Sequence, residues 1–346
     1  LEFVFKRSIE KPLILVLDEY PYLREKVEGL DSIIKALIDE YKEKSKLKLI
    51  LCGSYIDIMK SLFEIDNPLY GRISLKIELK QMDYYDSFKF YEGFSDEDKV
   101  RLYSVFGGIP YYNRLIDKRI SVKENIINLI ASKNSRLESE ISIYLKNELN
   151  KLENANAVVD ILAKGVSKYK DILSYSSVSS SPTLSDVLNK LQKLELVKKE
   201  VSINDPGSNK GNYYILDNLT LFYYRYIFRN SSMLMIMDPS VFYDEFIVQD
   251  FEDQYVPKIF ETIAKQYLIR LNLKGKCETP FYAIGKYIYN DRHNKINREF
   301  DVVTLDKKGY ISYEVKYKNH PLNDSDIEKE IKQVESSDLK VYRYGF

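Results

Sequence analysis

The sequence of 346 residues predicts a multidomain α/β protein, and three observations point to this fold class. Near the start, two apolar strand patterns, LILVLDEY at Leu13–Tyr20 and LKLILCGS at Leu47–Ser54, flank a helix-length segment, Leu30–Lys42. Residues 156–218 then contain three amphipathic stretches followed by a hairpin pattern. From Glu252 onward an α-β-β-β-α order ends the chain. This length is sufficient for two or three domains, each with its own core.

The first two strands have the continuous apolar character of buried parallel strands, so the segment predicts a βαβ unit. Its strand ends carry Asp18, Glu19 and Ser54, at the edge where doubly wound sheets bind ligands. An acidic pair after at least four apolar residues is the Walker B pattern. In that pattern the Asp holds Mg²⁺ and the following Glu polarises the water that attacks the γ-phosphate.

The motif G-x-x-x-x-G-K-[ST] is absent from the sequence, so the chain contains no phosphate-binding loop of that type. The chain also begins with Leu1 and reaches its first predicted strand within a dozen residues. We therefore expect a phosphate-binding segment to precede Leu1 in the natural protein. On this interpretation residues 1–80 are a remnant of a P-loop parallel α/β sheet.

Composition excludes several classes of protein. Lys plus Arg and Asp plus Glu are both 52, so the net charge is zero and nucleic-acid binding would have to be local. Two Cys and two His give little support to disulfide frameworks, zinc sites or a Ser-His-Asp triad. The sparse cysteines fit a reducing cytosol, so we expect a cytoplasmic protein. Since no apolar run reaches about 18 residues, we expect no transmembrane helix and no membrane partner.

The predicted organisation has five parts. Residues 81–151 predict a helical lid with a Gly107–Pro110 turn, because they contain amphipathic stretches without a clear strand. The remaining parts are the α/β core at 1–80, a winged helix-turn-helix at 152–218, a helical connector at 219–251 and a C-terminal α-β-β-β-α domain at 252–346.

The winged helix prediction rests on three helical stretches followed by strands at Leu196–Ile203 and Tyr213–Leu216. The polar side chains of its third helix are typical of phosphate or base contacts; they are Asn189, Lys190, Gln192 and Lys193. Winged helices also serve as packing modules, and the sequence favours neither use.

In the C-terminal domain, the tetrapeptide Asp306–Gly309 predicts a type I turn between two strands. That register places Asp301 opposite Glu314 and Glu299 opposite Lys316, with Asp301 on the same face as Val303.

Opposed carboxylates repel each other, and a divalent cation would turn that repulsion into binding. Asp301 and Glu314 are therefore candidate metal ligands, with Glu261 as a third. Lys316 would position water or stabilise the developing charge. The alternative is structural: Lys316 pairs with Glu299, and the other carboxylates lie at a solvated edge.

The whole chain resembles the archaeal-type ATPase family of the AAA+/STAND group, whose members carry a winged helix and a domain similar to PD-(D/E)XK nucleases. The resemblance rests on LILVLDEYPYL at Leu13–Leu23, on Cys52-Gly53-Ser54, on PLYGR at Pro68–Arg72 and on GGIPYY at Gly107–Tyr112. It implies that Ser54 senses the γ-phosphate and that Arg72 is a nucleotide-sensing arginine. It also implies that Glu261, Asp301, Glu314 and Lys316 occupy the nuclease-like positions.

The favoured hypothesis is an ATP- and Mg²⁺-dependent molecular switch coupled to the winged helix and the nuclease-like domain. The first alternative is a metal-dependent DNA nuclease regulated by the ATPase. The second is a non-catalytic module that binds DNA or protein. A protein partner or an oligomer is compatible with each of these hypotheses.

Overall fold

The computed structural model describes residues 1–53, 55–139, 141, 143, 154–208, 210–291, 296–318 and 320–346. Two compact units divide the chain, Leu1–Lys80 and Gln81–Phe346. Ser54 lies outside the described residues, as does the predicted boundary between the lid and the winged helix. Within the described residues, no helix combines the length and apolar character needed to cross a bilayer.

The first unit contains the predicted βαβ arrangement. Its strands β1 (Leu13–Leu17) and β2 (Leu47–Leu51) are parallel, with Leu13 opposite Leu47 and Leu17 opposite Leu51. The helices follow in chain order: α1 is Glu2–Glu10, α2 is Tyr20–Lys26, α3 is Leu30–Tyr41 and α4 is Ile56–Ser61.

Burial in these strands differs from the prediction of continuous burial. One face packs on the helices, around a core that includes Tyr20, Ile34 and Leu69. The other face is open, since Ile14 and Val16 are 68% and 52% exposed. Within the described residues, β1 and β2 form a sheet of two strands, and only one of its faces is covered.

The second unit begins with short helices. They are α5 (Tyr84–Ser87), a 3₁₀ turn (Phe88–Tyr91), α6 (Asp96–Phe106), α7 (Pro110–Asn113) and α8 (Val122–Leu129). The predicted glycine turn lies between α6 and α7. Gly107 has φ of 61°, and a Cβ on Gly108 would lie 2.0 Å from the Met82 carbonyl oxygen. Both positions therefore require glycine.

Three helices and an antiparallel hairpin follow, in the predicted order. The helices are α9 (Ala155–Ala163), α10 (Tyr169–Tyr175) and α11 (Ser181–Lys193), and the hairpin strands are β3 (Val197–Glu200) and β4 (Asn212–Ile215). Leu184, Leu188 and Leu191 of α11 are buried in the main core of the unit, as their helical spacing predicts. The hairpin therefore extends from a helical core.

The connector is helical with two π-helical turns, Tyr223–Ile227 and Phe251–Tyr255. Its remaining elements are α12 (Asn218–Phe222), a 3₁₀ turn (Phe228–Asn230), α13 (Ser231–Leu234), α14 (Pro239–Phe246) and α15 (Val248–Asp250). The second π turn continues directly into α16 (Val256–Leu273), the first element of the C-terminal domain.

The C-terminal sheet has four strands in the order β5 (Phe281–Asp291), β6 (Ile296–Asp306), β7 (Gly309–Tyr313) and β8 (Val341–Gly345). The first three are antiparallel, and β8 pairs parallel to β7 after helix α17 (Asp324–Glu335). The predicted turn register is confirmed from Asp306 opposite Gly309 to Val302 opposite Tyr313. The last strand, β8, was not predicted.

A β-bulge in β6 changes one predicted face. Gly285 pairs with Val303 and Tyr287 with Phe300, so Lys286 lies opposite both Asp301 and Val302. Phe300 and Val303 consequently pack in one cluster with Val334 of α17. The prediction that Asp301 shares a face with Val303 is therefore wrong, because the extra residue reverses the alternation. Asp301 points instead to Lys258 of α16.

Candidate functional site

The acidic pair lies at the carboxyl end of β1, as the sequence predicts. Cys52, which follows β2, donates from its Sγ to the Asp18 carboxylate over 3.2 Å. The Tyr20 amide donates to the Cys52 carbonyl oxygen at 2.8 Å. Glu19 has left-handed backbone angles, with φ of 47° and ψ of 46°, which a residue other than glycine rarely adopts. The strand ends thus form a tight acidic turn.

A buried polar network supports this turn. The fully buried Tyr20 donates its hydroxyl to Asp31 of α3 at 2.5 Å, and burial together with this hydrogen bond raises the pKa of Tyr20. The same Asp31 carboxylate accepts from Asn67 at 2.9 Å and pairs with Arg24 at 3.0 Å. Asn67 directly precedes PLYGR, so that motif is tied to the acidic turn through Asp31.

Arg72 is not brought to the acidic turn. Its guanidinium forms two hydrogen bonds with Asp39 of α3, at 2.9 and 2.8 Å. Asp39 lies eight residues after Asp31, which is about 12 Å along the helix axis. A nucleotide-sensing role for Arg72 would therefore require it to exchange this partner. Ser54, the remaining residue predicted here, lies outside the described residues.

The C-terminal acids form a denser cluster, centred on Asp301. The Lys286 ammonium of β5 donates to Asp301 at 2.7 Å and to Glu299 at 2.6 Å. Lys258 of α16 donates to Asp301 at 3.1 Å and pairs with Glu261 at 2.6 Å. Two ammonium groups therefore hold three carboxylates from two different elements.

Burial and the neighbouring charged groups shift the pKa values of these carboxyl groups in opposite directions. Burial works against ionisation of Asp301, but Lys286 and Lys258 outweigh it and lower the pKa of Asp301. Burial and the Asp301 charge raise the pKa of Glu261 to about 7, against the opposing effect of Lys258. Burial also raises the pKa of Glu314, which Lys316 opposes. The cluster thus contains carboxyl groups with well-separated pKa values, a feature common at functional sites.

Lys316 contacts Glu314 and lies 3.4 Å from Glu330 of α17. The ladder between β6 and β7 ends before the predicted position of Glu299 opposite Lys316, and the side chain of Glu299 pairs with Lys286. The predicted pair of Asp301 and Glu314 lies one position beyond the last paired residues, Val302 and Tyr313. At that point Glu314 turns to β8, and its amide donates to the Gly345 carbonyl at 2.9 Å.

The donors at this site suit Mg²⁺ or Mn²⁺ in chemical type, since all are carboxylate oxygens. As the side chains stand, no three His, Cys, Asp or Glu residues of the described chain are arranged to hold a metal ion. The Lys258 and Lys286 ammonium groups supply the counter-charge. A cation would therefore have to compete with these two lysines.

Sequence reasoning missed Lys258, Lys286 and Glu330. They lie on α16, β5 and α17, outside the two strands whose register the turn could fix. One signal was present for Lys258: it precedes Glu261 by three residues, which places both on one face of a helix. The sequence contains no comparable signal for Lys286, because its place depends on the bulge.

The β3–β4 hairpin reaches this site from the other side of β5. The Ile203 amide donates to the Lys286 carbonyl at 2.7 Å, and the Ile288 amide donates to the Ser202 hydroxyl at 2.9 Å. Asn204 donates from its side chain to the Ile288 carbonyl at 3.2 Å. The chain after β3 thus lies along the β5 edge, next to the lysine that holds Asp301.

Known proteins share parts of this chain. Residues 223–333 match the family model DUF234, described as archaea bacterial proteins of unknown function. The uncharacterized protein MJECL04 of Methanocaldococcus jannaschii is 29% identical over 324 residues, which are 92% of this chain and 70% of that protein. Among solved structures, the Walker-type ATPase PabY2304 of Pyrococcus abyssi aligns over 65% of this chain and 68% of its own, with 19% identity and a TM-score of 0.48. The DUF234 match includes the Asp301 cluster and ends within α17.

Proposed function

We propose that this chain forms part of a nucleotide-dependent switch whose acidic residues lie in the first unit. The observation that carries the proposal is the parallel β1–β2 pair, which ends in the Asp18–Glu19 turn beside Cys52. Parallel sheets bind ligands at this edge. The sequence contains no G-x-x-x-x-G-K-[ST] motif, so the proposal concerns the residues that would hold the metal and the attacking water.

In this proposal Asp18 would hold Mg²⁺, and Glu19 would orient and polarise the attacking water. Mg²⁺, when bound, neutralises charge that develops on the phosphates during transfer. The Cys52 thiol and the Glu19 amide, at 3.2 and 3.0 Å, orient the Asp18 carboxylate. Ser54 and Arg72 remain proposed contacts to the nucleotide, and Arg72 would have to leave Asp39.

The test uses the natural protein that contains this sequence, at its full length. Binding of a fluorescent ATP analogue and phosphate release are measured for the wild type, D18N and E19Q. We expect E19Q to bind ATP and to lose at least about 100-fold in hydrolysis, whereas D18N loses Mg²⁺-dependent binding. E25Q, an exposed change on α2, is the matched control. Wild-type protein that binds no ATP, or E19Q that hydrolyses normally, would refute the proposal.

The Asp301 cluster supports a second candidate function, metal-dependent cleavage of a phosphodiester. The observation is the β6 bulge, which turns Asp301 toward Lys258, the ion-pair partner of Glu261, in a domain with α-β-β-β-α-β order. Bulges often re-aim side chains beside active sites. Asp301, Glu261 and Glu314 would hold the cation, which activates water when bound, and Lys316 would stabilise charge on the phosphate. DNA is the proposed substrate, and the three-helix region with its hairpin is proposed to be a winged helix whose helix α11 contacts it.

Cleavage of labelled DNA is measured with Mg²⁺ or Mn²⁺ for the wild type, D301N and K316M. We expect both variants to lose at least about 100-fold in rate. K308M removes one lysine at the β6–β7 turn and serves as the control, since it contacts only the exposed Glu278 among the ion pairs described. Cleavage that persists in D301N would show that the activity arises elsewhere.

A further inference from the structure

We propose that the segment Ser202–Asn204, which follows β3, is a clasp on the edge of β5 that fixes Lys286 as the positioning residue of Asp301. The hairpin is then a coupling element between the three-helix region and the C-terminal acids. The role given to Asp301 rests on the second proposed function. The clasp itself rests only on the contacts of the hairpin.

The clasp is built from backbone and side-chain hydrogen bonds. Ile203 donates its amide to the Lys286 carbonyl at 2.7 Å, and Ser202 accepts the Ile288 amide at 2.9 Å. Asn204 also reaches the Ile288 carbonyl, at 3.2 Å. These bonds join positions more than 80 residues apart, and they satisfy groups of β5 that an edge strand otherwise leaves open. The Ile203 side chain packs on the apolar cluster of the C-terminal sheet.

The strands of the hairpin reinforce the clasp through charge. Glu200 of β3 pairs with Lys265 of α16 at 2.7 Å. The Lys286 ammonium lies 5.3 Å from the centre of the Tyr214 ring of β4, within cation–π range. The hairpin therefore contacts both the backbone and the charged end of Lys286.

This anchoring distinguishes the two lysines that bind Asp301. The Lys286 side chain is 12% exposed, whereas that of Lys258 is 52% exposed. Exposed ion pairs are weak and exchange readily with water, while a buried lysine between two carboxylates is held in place. Asp301 is thus oriented by Lys286, and movement of the hairpin is transmitted to it through that residue.

This geometry also bears on how the hairpin is used. In a winged helix that reads nucleic acid, the wing has to be free to enter a groove. Here the segment after β3 is hydrogen-bonded to β5, so we expect α11 to make the contacts with nucleic acid.

The test measures the chemical reactivity of individual lysines. The metal-free protein is labelled briefly with acetic anhydride, and the labelling of each lysine is followed by mass spectrometry. Amide hydrogen exchange across β5 is measured in parallel. In the wild type we expect Lys286 to react at least about tenfold more slowly than Lys258, because burial and two carboxylates protect it.

The double variant S202A/N204A removes the side-chain bonds of the clasp, and I203P removes its backbone donor. We expect Lys286 to react at least about fivefold faster in both, and the Ile288 amide to exchange at least about fivefold faster in S202A/N204A, as the loss of one or two hydrogen bonds predicts. The control S208A changes a serine in the same loop whose hydroxyl accepts the Lys210 amide instead. It should leave both rates within twofold of the wild type.

Protection of Lys286 that is unchanged in folded S202A/N204A and I203P would overturn the proposal, as would an equal increase in S208A. K286R tests the positioning role with a conserved charge. It should retain slow exchange across β5, and rapid exchange there would count against an ion-pair role. None of these readouts uses metal or DNA, so failure of the clasp and failure of the nuclease proposal are distinguished.

Discussion

Replacement of Lys286 by Met tests the central ion pair of the C-terminal domain. Met preserves most of the apolar stem and removes the charge, so the change isolates the ammonium group. The lost contacts are those to Asp301 at 2.7 Å and Glu299 at 2.6 Å. Asp301 would then be left with Lys258 as its ammonium partner.

The expected magnitude follows from burial. Breaking a fully buried ion pair costs about 3–5 kcal/mol, because the remaining charge is left unpaired. The Asp301 and Glu299 side chains are 32% and 37% exposed, so water screens part of that cost. We therefore expect K286M to lose about 2 kcal/mol of stability. For a unit of this size that corresponds to a fall of about 4–8 °C in Tm.

The assay is urea and thermal unfolding followed by circular dichroism, in buffer that contains a chelator. K308M is the matched control, because Lys308 is 47% exposed and its pair with Glu278 is at the surface. It should change stability by less than about 0.5 kcal/mol. The double variant K286M/D301N also removes the Asp301 charge and leaves that of Glu299, so part of the loss should be recovered. The reasoning is refuted if K286M matches K308M, or if the double variant is no more stable than K286M.

Three further predictions concern other parts of the chain. Folding raises the pKa of Glu261 from 4.5 to about 7, so between these pH values the folded state binds more protons than the unfolded state. The free energy of unfolding should therefore fall as the pH rises from 5 to 8. In urea titrations, E261Q should reduce this fall by about 2 kcal/mol. D160N should cost about 2 kcal/mol in the same assay, because the buried Asp160 pairs with Arg229, and an unchanged midpoint would contradict this. G108A should cost at least about 2 kcal/mol, since its Cβ would clash with the Met82 carbonyl, and normal stability would show that the turn relaxes.

Local patterns predicted much of this structure. The parallel β1–β2 pair followed from two apolar runs separated by a helix, and the β6–β7 register followed from the Asp306–Gly309 turn. For β6 and β7 neighbouring residues carry all the information, because a turn fixes the pairing of the strands that it joins. The order of three helices and a hairpin in residues 154–218 followed in the same way.

The features that the sequence did not predict depend on contacts between elements that are distant in the chain. The segment Glu299–Leu305 gives no sign of the bulge, since the bulge exists only relative to β5. The partners of Asp301 come from α16 and β5, and register alone could not identify them. The motif around Arg72 predicted a nucleotide-sensing role, but it did not predict where the guanidinium lies. The ion pair of Arg72 with Asp39 depends on tertiary packing. The strand β8 was missed because it pairs with β7 across an intervening helix, so no turn links the two strands.

The sheet edges have a practical consequence for dividing this protein. The matched family model spans residues 223–333, which excludes both the segment Ser202–Asn204 and β8. A fragment with those ends would expose the outer backbone of β5 on one side and of β7 on the other. Open strand edges pair with other chains, so such a fragment should aggregate, whereas one that contains the whole second unit, Gln81–Phe346, should stay dispersed. The compact unit that contains the Asp301 cluster is thus larger than the stretch of sequence that the family model matches.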